Sequence, residues 1–192
     1  MPAPFYTQVL ASNRASGPVV ATWTTAKSVL DAADLVQLPI NYLYVGAKFR
    51  IRVAGVLSNI VTTPGTVTFQ LMMGAVVAWT SGAIQMTTTA NTTTPIVLEI
   101  VLRVTALDTG SGQTPVTAAT LFGNGFVAGL DLTIGAGANP TVTDTIAMIP
   151  ATTPVNGTVF ASSTTENLDF WVGFSLSGNV FSMTDYIVEQ LQ

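Results

Sequence analysis

The chain has 192 residues, 48% apolar and only 8% charged, with a net charge of −4 and neither His nor Cys. The acidic balance excludes a general role in gripping phosphate backbones, which needs a basic footprint. Without His and Cys there is no usual general base, no thiol nucleophile and no ordinary zinc or transition-metal ligand set, so no enzymatic activity, cofactor or metal site is expected.

Charged residues typically make up roughly 25% of a chain. Here Thr, Ser, Asn, Gly and Ala must cover the surface, or other chains must, and exposed apolar patches usually mark interfaces.

Residues 1–18 read as an N-terminal arm ahead of a single domain over 19–192. The segment "MPAPFYTQVLASNR" lacks the basic and apolar regions of a signal peptide. From there on, β-branched residues dominate, in short runs separated by Gly, Pro, Asn and Ser clusters. Weaker strands are expected at 19–25, 76–80, 118–127, 146–149, 158–161 and 180–190. The stretch "SVLDAADLVQLP" holds a helical turn at "DAAD". Asp31 and Asp34 are read there as acidic residues favoured by the helix dipole, not as calcium ligands.

Four runs alternate with a period of two, which a helix does not keep. In "KFRIRVAGVL", Phe49, Ile51, Val53 and Leu57 share one face, and Lys48, Arg50 and Arg52 share the other. In "TVTFQLMM", Val67, Phe69, Leu71 and Met73 face inward. In "IVLEIVLRV", Ile96, Leu98, Ile100, Leu102 and Val104 oppose Val97, Glu99, Val101 and Arg103. The run contains two charges and is far short of the roughly 20 residues of a spanning helix, so no membrane partner is expected. In "LDFWVGFSLS", Leu168, Phe170, Val172, Phe174 and Leu176 oppose Asp169, Trp171, Gly173 and Ser175.

Between the first two runs, "TTPGT" has Pro64 to preset φ and Gly65 to supply the positive φ of a type II turn. The segment is read as a hairpin joining those strands. "LDTGSGQTPV" and "IGAGANPTVTD" read as long surface loops, and the Gly-rich pieces at 123–125 and 135–139 as loops or a bulge. Together these signals predict an all-β, antiparallel sandwich of about eight to ten strands. A jelly roll is favoured over an immunoglobulin-like order because two long apolar strands are central and a strand closes the C-terminus.

The candidate site residues are Lys48, Arg50, Arg52 and Trp171. The basic run is a poor nucleic-acid strip in an acidic chain with no aromatic on the same face. Two readings stay open. It is either a solvated strand face with Arg50 or Arg52 paired to Glu99, Asp169 or Glu189, or an ion-pairing contact to another subunit. Trp171 falls on the polar parity of its strand, where it either anchors an interface, stacks on a sugar ring or lies under a loop.

The segment "LVQLPINYLYVGAKFRIRVAGVLSNIVTTPGTVTFQLMMG", residues 35–74, resembles a family of virion structural proteins of tailed bacteriophages. The features that carry this are Leu38–Pro39, Val45–Gly46, "RIRVAGVLS" and "TTPGT". The likeness continues through "TPIVLEIVLRV" and "ATLFGNG" and returns in "FSMTDYIVEQLQ"; residues 1–18 take no part in it. The resemblance implies a homotrimeric jelly-roll protein on the exterior of the virion, a capsid decoration (cement) protein whose partner is the major capsid protein. The alternative is a tail-fibre tip or receptor-binding module that recognises a host glycan.

Overall fold

The computed structural model describes residues 7–13, 16–21, 24–40, 42–59, 65–87, 90–107, 119–129, 132–133, 146–150, 156–158, 160–161 and 165–191. Fourteen strands occur among them: β1 (Thr7–Ser12), β2 (Val20–Ala21), β3 (Lys27–Ser28), β4 (Val36–Leu38), β5 (Lys48–Asn59), β6 (Thr66–Met73), β7 (Val76–Thr80), β8 (Ile84–Met86), β9 (Asn91–Leu107), β10 (Ala119–Gly129), β11 (Leu132–Thr133), β12 (Ile146–Ile149), β13 (Glu166–Phe174) and β14 (Val180–Leu191). The excess over the expected eight to ten comes from β2, β3, β4, β8 and β11, each two or three residues long.

The protein is an all-β sandwich of two antiparallel sheets. Sheet A runs β1-β14-β5-β9-β10-β12, with β2 also on β14. Sheet B runs β11-β8-β6-β13-β3, with β4 also on β13 and β7 on β6. The chain changes sheet repeatedly, and its last two strands each insert between an early strand and a middle one. That order wraps the chain around the sandwich. It extends past β9 by β10 and β12, which lengthen sheet A.

Alternation explains why each strand has one buried face. Phe49, Ile51, Val53 and Leu57 of β5 are buried, as are Val67, Phe69 and Leu71 of β6. The rings of Phe69 and Phe170 stack within sheet B at 5.9 Å, and Phe69 meets Phe181 of sheet A edge-on at 6.1 Å. Trp79 of β7 also ties the sheets together, because its Nε1 donates to the carbonyl of Gly123 in β10 at 3.0 Å.

The segment between β5 and β6 departs from expectation. The "TTPGT" segment does not make a hairpin, since β5 lies in sheet A and β6 in sheet B. Gly65 does adopt the positive φ expected of it, at 70°. A reversal of chain direction is equally compatible with pairing in one sheet and with crossing to the facing one. Within the expected arm, residues 7–12 form β1 on the edge of sheet A, from Thr7 opposite Leu191 to Ser12 opposite Ile187. Asn13 fastens the end of this strand: its N–H donates to the Tyr186 carbonyl at 3.0 Å, and its Oδ1 accepts the Tyr186 N–H at 2.8 Å. The open edge of β14 supplies the pairing groups that make a strand of this segment. Residues 1–6, Trp23 and nearly all of the expected loops "LDTGSGQTPV" and "IGAGANPTVTD" lie outside the described residues.

The helical turn is present as one 3-10 turn at Ala32–Asp34, and the Asp31 carboxylate caps it by accepting the Ala33 N–H at 3.0 Å. The strand expected at 158–161 is reduced to bridges at Asn156 and Phe160 onto β10.

Candidate partner interface

The outer face of sheet A is built from the polar parity of β5 and β9 and the strands beside them. Register aligns its side chains in rows. One row runs Leu191, Lys48, Arg103, Phe122; the next runs Val9, Glu189, Arg50, Val101, Asn124. A third holds Ile187, Arg52, Glu99, Phe126 and Met148, and a fourth holds Ala54, Val97, Ala128 and Ile146. Four of the six Lys and Arg residues therefore stand on one face of an acidic chain.

The arginines of β5 find carboxylates within the chain. Nε and Nη2 of Arg50 both lie 2.6 Å from Oε2 of Glu189, with side chains 34% and 14% exposed. Arg52 approaches Glu99 at 3.4 Å, with 55% and 27% exposed. Cross-strand pairing accounts for both, and the tighter, drier pair is the stronger of the two. Asp169, the third acid considered from sequence, lies in sheet B and cannot reach them.

Lys48 differs. It is exposed, and its cross-strand neighbour is Arg103, also exposed. Neither forms an ion pair among the described residues. Beyond the charges the face turns apolar: Val97, Ile146 and Met148 are exposed, the last two at 63%. Phe126 and Ala128 of β10 are half-buried beside them, and Phe122 is half-buried beside Arg103. No family model and no curated protein matches this chain. The assignment of this face therefore rests on its own geometry.

Trp171 is not part of it. It lies on the outer face of sheet B, opposite Ser28 of β3 and Gln70 of β6. The ring is half-buried, and its Nε1 donates to Oδ2 of Asp169 at 2.6 Å. Oδ1 of Asp169 accepts the Ser28 hydroxyl at 2.8 Å. Burial raises the Asp169 carboxyl above the ordinary range, against the opposing pull of the Ser28, Trp171 and backbone hydrogen bonds. Burial first, and the Asp169 charge second, push the fully buried Tyr186 phenol up as well. The four residues singled out from sequence thus fall on opposite sides of the sandwich.

Sequence reasoning missed Arg103 as the neighbour of Lys48, and it missed Ile146 and Met148 altogether. Arg103 and Val97 were legible as one parity of their run, but the register that sets Arg103 beside Lys48 was not. Ile146 and Met148 sit in a four-residue strand, too short for alternation to reveal which parity faces out.

Proposed function

We propose that this chain is a structural, non-enzymatic virion protein of a tailed bacteriophage. In this reading it decorates the capsid exterior as a homotrimer and binds the major capsid protein through the outer face of sheet A. The observation that carries the reading is the gathering of Val97, Ile146, Met148, Lys48 and Arg103 on one sheet face of the sandwich. Exposed apolar side chains rimmed by charge are what a docking surface presents. The resemblance of residues 35–74 supplies the kind of partner. Binding at many repeated shell sites makes modest single-site affinity sufficient.

The test is sedimentation of the purified full chain, alone and with assembled capsid shells. A trimer in solution that co-sediments with shells in hundreds of copies per particle is the expected result. A monomer that ignores shells overturns the reading. A glycan-array hit without shell binding would favour the receptor-binding alternative, which needs an open aromatic platform; the Trp171 N–H is already committed to Asp169.

A further inference from the structure

We propose that Lys48 and Arg103 together bind a carboxylate presented by a partner protein. The proposal rests on the reading of this face as a docking surface and assigns the chemistry of its charged end.

Directly opposed like charges on neighbouring strands destabilise a sheet. The same two strands show the ordinary solution two rows along, where Arg52 stands opposite Glu99. At the end of the face the chain instead places Lys48 opposite Arg103, both exposed, with no ion pair for either among the described residues. Side chains directly opposite have Cβ atoms about 5 Å apart, close enough for one carboxylate above the sheet to be approached by both side chains.

Arg103 is also held in place. Its guanidinium carbon lies 5.9 Å from the centre of the Phe122 ring. A cation–π contact of this kind restrains the guanidinium and leaves N–H groups for a fork-shaped acceptor such as a carboxylate. The loop before β5 adds an apolar rim. The Gly46 N–H donates to the Val104 carbonyl at 2.9 Å, next to Arg103, and Tyr44 and Val45 beside it are exposed.

Two exposed cations on directly paired positions of neighbouring strands suit a single acidic side chain. A nucleic-acid backbone needs a basic stripe, and here Glu189 and Glu99 stand beside Arg50 and Arg52 in the neighbouring rows. The occupant is therefore an acidic side chain on a protein surface.

The experiment is an NMR-monitored titration of the full chain with an oligoglutamate peptide and, separately, with oligothymidylate, alongside co-sedimentation with shells. The variants are Lys48→Glu, Lys48→Gln and Arg103→Glu, with Arg52→Gln as the control. The Arg103 Nε–H resonance is expected to shift saturably with oligoglutamate. Lys48→Glu and Lys48→Gln are expected to weaken that binding about tenfold, the effect of losing one charge-assisted contact. Arg52→Gln leaves it unchanged. Lys48→Glu also raises the melting temperature, because it faces Arg103 with an opposite charge, so lost binding is separable from lost folding.

No shift at Arg103, a shift indifferent to Lys48, or tighter binding of oligothymidylate would overturn the proposal. Failure of the wild type to bind shells while oligoglutamate binding persists counts against the virion reading and leaves the carboxylate site standing.

Discussion

The outer faces of the two sheets start from the same alternation and handle their exposed residues in opposite ways. On sheet B, Ser28, Asp169 and Trp171 close a hydrogen-bonded chain within the molecule, and Gln85 donates to the Gly65 carbonyl at 2.8 Å. On sheet A, two cations are left facing each other, and Val97, Ile146 and Met148 are left in solvent. A face that satisfies its own polar groups adds stability and offers little to a partner. A face that leaves charges and apolar groups unmatched gives up some stability and retains binding capacity. The difference teaches which side of this sandwich to test for docking.

Substitutions should separate the two faces, beginning with the core they share. Phe170→Ala removes a fully buried ring stacked on Phe69. It should lower unfolding free energy by about 3–5 kcal/mol in urea titrations, and it sets the scale for the rest.

On sheet B, Asp169→Ala leaves the Trp171 N–H without its acceptor and the Ser28 hydroxyl with only the Leu30 carbonyl at 3.2 Å. The expected loss is about 1–3 kcal/mol, with shell binding unchanged. Weaker shell binding in this variant would break the contrast between the faces.

Asp169→Asn sharpens the contrast through pH. The folded-state carboxyl has a raised pKa, so the folded form holds its proton more tightly than the unfolded form. The stability this contributes is fully present below the unfolded Asp pKa of about 3.9 and is lost as pH rises through the folded value. The stability of wild type relative to Asp169→Asn should therefore fall between strongly acidic and neutral pH. A difference that grows with pH would contradict the desolvated geometry.

On sheet A the stability effects are smaller. Arg50→Ala should cost up to about 1 kcal/mol and Arg52→Ala only a few tenths, following the ranges for exposed ion pairs and the shorter, drier Arg50–Glu189 contact. Guanidinium denaturation masks such charge effects, so urea at low salt is the measurement.

The smallest stability change belongs to Ile146→Thr with Met148→Gln, within about 0.5 kcal/mol as for exposed sites generally. The same pair should weaken shell co-sedimentation several-fold. A large loss of stability with intact binding would reverse the assignment of the two faces.

Much of this was legible in the residues themselves. The parity of "KFRIR" separates Phe49 and Ile51 from Lys48, Arg50 and Arg52, and the structure buries the first pair and leaves the basic three at the surface. Gly65 takes the left-handed conformation that its place in "TTPGT" demanded. Glu99 and Glu189 were already among the acids considered for the arginines. Inward and outward faces follow from a period of two, and a glycine's φ follows from the turn it occupies; both are local properties.

Strand neighbours are not local. Arg50 meets a glutamate 139 positions away because β14 inserts between β1 and β5. The strand that follows β5 lies in the opposite sheet, although the residues between them suit a hairpin equally well. Register then decided that Arg52 received Glu99 while Lys48 received Arg103. The sequence by itself determined which side chains leave the core. Only the tertiary structure decided what each one meets outside it, because pairing partners and register are set by how the whole chain wraps to bury its apolar faces.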